Sequence, residues 1–155
     1  VDAMRKMFVM NTDISDDDRS FADLIDLYTG SRFRVGVLDY PNSDGKHRLC
    51  ENEVITTELF IEWSELCEPF QTPENVDYVC GKGPGIYAKA KVLAIASKYT
   101  LVCEIKGLSS RIIVDDMHYD GEVGDTIYIW GSLSIDYSEH GLPEKWDIPY
   151  DPELG

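Results

Sequence analysis

Val123-Gly124-Asp125-Thr126-Ile127-Tyr128-Ile129-Trp130-Gly131-Ser132-Leu133-Ser134-Ile135-Asp136 is the stretch on which the reading of the fold turns. Ile127, Ile129, Leu133 and Ile135 alternate with Tyr128, Trp130, Ser132 and Ser134. That two-residue period belongs to a β-strand with one face in a core and the other turned outward. Gly131 in mid-strand predicts a bulge or bend, as a small barrel needs where its sheet curls. Trp130 falls on the outer face and is expected to be covered by another element rather than offered to a ligand.

Upstream, the same period continues. Ile86 to Ser97 reads as a long strand, Lys98-Tyr99 as a turn, and Thr100 to Lys106 as a return strand with Leu101, Cys103 and Ile105 on one face. Gly107 to Ser110 turns into Arg111–Val114, and an acidic loop, Asp115 to Gly124, leads into the strand Thr126–Asp136. With Ala90-Lys91-Val92-Leu93-Ala94-Ile95, Thr100-Leu101-Val102-Cys103-Glu104-Ile105, Arg111-Ile112-Ile113-Val114 and the G-D-x-x-x-x-x-G spacing of Gly124 to Gly131, residues 86–136 resemble an OB-fold β-barrel. The resemblance implies a small barrel of a kind that binds nucleic acid, saccharides or protein. It departs from the pattern in having no helix between the third and fourth strands and no fifth strand in evident position.

The flanks are less regular. Phe21, Leu24, Ile25 and Tyr28 recur at helical spacing behind Ser15, Asp16, Asp17 and Asp18, which suit a cap and a first turn, and Gly30 suits a stop. An amphipathic helix over Asp17–Leu27 follows as the expectation, and it is an available cover for Trp130. Arg32–Tyr40 and Val54–Trp63 read as strands separated by the turn Pro41-Asn42-Ser43-Asp44-Gly45. Glu65–Glu74 is a connector, Val76–Cys80 a short edge strand, and Gly81-Lys82-Gly83-Pro84-Gly85 a flexible joint without phosphate-loop spacing. The expected class is α+β, mostly β: a small OB-like antiparallel barrel with an N-terminal helix and additional strands. Residues 1–14 are expected to hold a tag remnant (Val1-Asp2-Ala3) and an N-terminal segment, 15–136 a single globular domain, and 137–155 an acidic, proline-containing C-terminal segment.

Charge narrows the role. The chain of 155 residues carries 14 Lys and Arg against 29 Asp and Glu, a formal charge of −15. Such a balance disfavours duplex nucleic acid and anionic membranes, since phosphate binding depends on neutralisation by cations. No apolar run is long enough to span a bilayer, and no apolar signal core follows Arg5 and Lys6. A cytoplasmic location with reduced, mostly buried thiols at Cys50, Cys67, Cys80 and Cys103 is the expectation. Between Lys82 and Ile112, however, Lys82, Lys89, Lys91, Lys98, Lys106 and Arg111 face Glu104 alone, a local +5. Those lysines either follow a nucleic-acid backbone, counterweigh an acidic working surface, or limit self-repulsion between neighbouring segments.

Catalytic and metal motifs are missing from the sequence: no G-x-S-x-G, H-E-x-x-H or G-x-x-x-x-G-K-[ST] occurs. Asp116, His118 and Asp120 alternate as metal ligands could, but an exposed acidic loop accounts for them without a ligand. We therefore expect a non-enzymatic binding protein without cofactor or metal that neutralises a basic protein partner, as an immunity protein does to a bacterial toxin. The docking residues on this reading are Asp115, Asp116, Tyr119, Asp120 and Glu122. The alternative is an OB-like single-strand nucleic-acid binder using Lys89, Lys91, Tyr128 and Trp130. A structural accessory protein of a phage or secretion system fits the composition as well.

Overall fold

Period-two burial runs through the longest elements. Along Gly85–Ser97 the side chains of Ile86, Ala88, Ala90 and Val92 are buried while Tyr87, Lys91 and Leu93 are exposed. The computed structural model describes residues 3–13, 20–40 and 49–138. Among them ten strands form: β1 (Met4–Asp13), β2 (Ser20–Asp26), β3 (Arg32–Tyr40), β4 (Val54–Glu58), β5 (Phe60–Leu66), β6 (Tyr78–Cys80), β7 (Gly85–Ser97), β8 (Thr100–Ile105), β9 (Ser109–Val114) and β10 (Thr126–Ser138). The described residues contain no α-helix, and so none long and apolar enough to cross a membrane. Two compact units divide the described residues, one built on Leu59–Leu133 and the other on Met4–Glu58 with residues 134–138.

The first unit is a closed five-stranded barrel. β7 pairs antiparallel with β8 and with β10, and β8 pairs antiparallel with β9. β5 then closes the circuit, parallel to β9 (Phe60↔Ile113, Ile61↔Val114) and beside β10. The expected all-antiparallel barrel is corrected by that one parallel pair, which arises because the closing strand comes from upstream of β7. Inside, small residues face large ones: Ala88 lies opposite Ile129 and Ala90 opposite Ile127, which fills a bore too narrow for two branched chains. Register shifts between Val92 and Ala94 and between Cys103 and Ile105 curl the sheet.

Two glycine expectations change. Gly131 makes no bulge, since Thr126–Ser132 pairs in unbroken register with Lys91–Gly85. It is needed because β5 passes too close for a side chain: a Cβ there would lie 2.5 Å from Ile61 Cγ2 and 3.0 Å from Glu62 O. Gly81–Gly85 is not a loose joint either. Gly81 N donates to Gly85 O at 2.8 Å and Gly85 N to Lys82 O at 3.2 Å, a closed turn between the paired strands β6 and β7.

The second unit is a sheet in the order β4-β1-β2-β3-β10, its last member being Ser134–Ser138 parallel to β3. The helix expected over Asp17–Leu27 is overturned. Residues 20–26 are β2, antiparallel to β1 and β3, while the capping residues 15–18 lie outside the described residues. The buried positions are Ala22, Leu24 and Asp26, two apart, whereas Tyr28 of the presumed stripe is 96% exposed. Asp26 disguised the strand by placing a carboxylate where the pattern calls for an apolar residue. It lies 3.4 Å from the Arg5 guanidinium and accepts from Tyr28 N and Thr29 N at 2.8 and 3.0 Å. The strand read as Val54–Trp63 is also two strands, β4 and β5, parted at Leu59 where burial is continuous from Thr57 to Ile61. Of the four thiols only Cys103 is buried, and burial pushes it up to about 12; Cys50 and Cys80 are exposed.

Candidate functional site

The outward face of the barrel's β7–β10 ladder gathers the aromatic residues. Parity settles which side chains share it: even positions on β10 and odd positions on β7 point away from the bore. The register sets Trp130 against Tyr87, Tyr128 against Lys89 and Thr126 against Lys91. All four residues of the nucleic-acid alternative therefore stand on one face. Phe70, from the connector after β5, packs edge-on against Tyr128 at 5.2 Å and Tyr87 at 5.8 Å. Among the described residues no helix covers Trp130 as expected, and the indole is 41% exposed.

β5 extends this face with a residue that the sequence reading passed over. Trp63 is 68% exposed and has φ 55°, a left-handed conformation that a bulky side chain adopts only under constraint. The constraint is visible. Trp63 N donates to Asp116 Oδ2 at 3.2 Å, Asp115 N donates to Ile61 O at 2.7 Å, and Asp116 is itself left-handed at φ 61°. The kink reverses the alternation along Glu62-Trp63-Ser64, so that the indole projects outward and Ser64 is buried. Trp63 and Trp130 together wall a cleft of about 500 Å³ with Glu65, Leu66, Asp116, Met117 and His118. On the opposite side the same two indoles border a second hollow of about 340 Å³ with Tyr87 and Lys82.

Charge is graded across the face. β5 carries Glu62 and Glu65 and no cation, Thr126–Leu133 of β10 carries no charge, and β7 carries Lys89 and Lys91 and no carboxylate. Lys89, Lys91 and Lys106 line a further cleft of about 450 Å³, where Asp77 and Glu104 accompany them. Glu104 lies directly across from Lys91 in the β7–β8 ladder.

The five residues of the acidic docking set separate. Asp116 alone borders the Trp63–Trp130 cleft. Asp115 accepts from Thr100 Oγ1 at 2.7 Å. The Tyr119 hydroxyl donates to Asp125, and burial together with that bond pushes the phenol up to about 12. Asp125 is held below the ordinary carboxylate range by Glu122 N at 2.9 Å and then by the Tyr119 hydroxyl. Asp120, 3.5 Å from His118 Nε2, and Glu122 are exposed and stand apart from the cleft lining. Among the described residues, no three His, Cys, Asp or Glu side chains converge as a metal site would require. No known family, curated protein or solved structure matches the chain.

Proposed function

We propose that the chain is a non-enzymatic binding protein that neutralises a basic protein partner in the cytoplasm, docking it on the barrel face centred on Trp63 and Trp130. One observation carries this: two partly exposed indoles and Leu66 lie beside Glu65 and Asp116 in a cleft that, among the described residues, no lysine or arginine lines. Exposed aromatics at the centre of a patch are the usual anchors of protein interfaces, and a carboxylate rim speeds and orients the approach of a cationic partner. The contact set thus moves from the loop residues Asp115, Tyr119, Asp120 and Glu122 to Asp116 with Trp63, Leu66 and Trp130. The strand order also supports an OB-like reading of the barrel, since β5 supplies the fifth strand, arriving ahead of the first. Neutralisation of a bacterial toxin is the finer form of this proposal.

The single-strand nucleic-acid reading keeps one specific support, the common face of Lys89, Lys91, Tyr128 and Trp130. Against it stand Glu104 beside Lys91, Phe70 over Tyr128 and a net charge of −15. Stopped-flow tryptophan fluorescence with a lysine- and arginine-rich peptide, run in parallel with a thymidine oligonucleotide, separates the two. The expected result is association with the peptide that slows steeply as salt rises, and no response to the oligonucleotide. Oligonucleotide binding with indifference to the peptide overturns the proposal. For the finer form, expressing the gene directly upstream in the native locus, with and without this chain, tests rescue from toxicity.

A further inference from the structure

On the basic-partner reading, we propose that the cleft between Trp63 and Trp130 is an arginine slot, in which the partner's guanidinium stacks on the indoles and bonds to the carboxylates of Glu65 and Asp116. A guanidinium is planar, always charged and weakly hydrated, so it combines cation–π stacking with directed hydrogen bonds; an ammonium is a strongly hydrated point charge that gives up more on entering an apolar cleft. The lining supplies both halves of that recognition, two indoles with Leu66 and Met117 on one hand and two carboxylates on the other.

The slot is also pre-assembled. Asp116 Oδ2 accepts from the backbone N–H of Trp63, so the carboxylate is tied to the backbone that carries the indole before any partner arrives. Asp116 therefore has less side-chain freedom to lose on binding. The same combination occurs within the chain itself. Arg34 lies 5.4 Å from the Phe21 ring centroid while its guanidinium contacts Asp13 and Asp23 at 3.0 Å each. Arg5, 5.8 Å from the Phe33 centroid and 3.4 Å from Asp26, repeats it. At Trp63 and Trp130 the aromatic faces and the carboxylates are in place, and the lining contains no arginine or lysine among the described residues. A base could stack on the same indoles, but its phosphate would meet Glu65 and Asp116 at close range.

The test titrates octa-arginine, octa-lysine and octa-citrulline into the full chain at low salt, by calorimetry and by the indole N–H resonances. Octa-arginine is expected to bind about tenfold tighter than octa-lysine and to shift the Trp63 and Trp130 signals, with no binding of the neutral octa-citrulline. Trp63→Asn, chosen because Asn tolerates a left-handed backbone, is expected to lose about tenfold for octa-arginine. Glu65→Gln, an exposed position, is expected to lose about threefold, and circular dichroism verifies that both variants fold. Equal affinity for arginine and lysine overturns the slot. So does arginine binding that leaves the two indole signals unmoved or survives Trp63→Asn unchanged. Equal affinity leaves the basic-partner reading and its face standing, whereas the latter two outcomes keep a basic partner but remove the Trp63–Trp130 face as its docking place. Failure of both cationic peptides to bind removes that reading, and the slot with it.

Discussion

Substituting Gly131 by alanine should destabilise the barrel by overpacking, not by altering backbone freedom. The added carbon would lie 2.5 Å from Ile61 Cγ2, 3.0 Å from Glu62 O and 3.1 Å from Ser64 Oγ. Carbon atoms rest at about 3.5–4.0 Å, so the first contact is short by about 1 Å or more. Neither neighbour yields easily: Ile61 is fully buried, and Glu62 O belongs to the backbone of the strand that closes the barrel. The expected cost is about 2–3 kcal/mol, toward the upper end for inserted core carbons. For a unit of this size that is a fall in Tm of roughly 10–20 °C. Urea denaturation followed by tryptophan fluorescence measures it, and a cycle with Ile61→Ala identifies the cause. Ile61→Ala alone removes buried carbons at a cost of about 2–5 kcal/mol, but it also clears the space that the added methyl group needs. The double variant should therefore fall short of the summed costs by about 1–2 kcal/mol. Strict additivity, or a neutral Gly131→Ala, would refute close approach as the reason for this glycine.

Three further outcomes are expected. Asp26→Ala removes the carboxylate beside the buried Arg5 guanidinium and frees the Tyr28 and Thr29 amides, at about 3–5 kcal/mol in denaturant melts. Tyr119 is raised to about 12 in the folded loop, so its contribution to loop stability is full below the unfolded value near 10 and is lost as pH climbs through about 12. A phenolate absorbance titration should accordingly contain one late-titrating tyrosine, and Tyr119→Phe should delete it. Trp63→Asn should change stability by less than about 1 kcal/mol, because release of left-handed strain offsets the packing lost from a mostly exposed ring. A buried tryptophan would cost about 3–5 kcal/mol when truncated, so a loss of that size in urea melts would contradict the exposure given to Trp63.

The barrel strands β7 to β10 were legible because apolar residues alternate along β7 and β10, β8 and β9 are short apolar runs, and Lys98-Tyr99 and Gly107-Leu108 part them at the turns. β2 was misread as helix for a physical reason: Asp26 occupies a core position in company with Arg5, and the half-buried Phe21 and Ile25 mimic a helical stripe. β5 was misread because two signals cancel. Burial is continuous up to Ile61, and the kink at Trp63 then inverts the parity that would have marked the indole as outward. Parity alone groups Tyr87, Lys89 and Lys91 on one side of β7 and Tyr128 and Trp130 on one side of β10, but only the β7–β10 pairing makes these one face, and Trp63 joins it through loop contact. The acidic loop looked like a docking surface because a carboxylate's hydrogen-bond partners cannot be read along the chain. Asp115 and Asp125 prove to be engaged inside the barrel unit, with Thr100 and with Tyr119 and Glu122.

On the proposed reading, the gradation from Glu62 and Glu65 on β5, through the uncharged Thr126–Leu133 stretch of β10, to Lys89 and Lys91 on β7 would do more than attract a cationic partner. A uniformly acidic surface would accept such a partner in many orientations, since long-range fields fix approach but not pose. Here a basic segment would be drawn toward β5 and turned away from β7, where Glu104 across from Lys91 offsets part of the repulsion, so the field would have a direction along the face. Trp130 lies on the uncharged strand between the two signs, and contact with it would follow once the segment has been turned with its cations toward Glu65 and Asp116. Repulsion on one side would then add to specificity alongside attraction on the other. Reversing Lys89 and Lys91 to glutamate should raise the association rate of a cationic peptide while loosening its preference for the Trp63 cleft. A faster rate with undiminished preference, measured by quenching in the Trp63→Asn background, would mean that the lysines only balance charge.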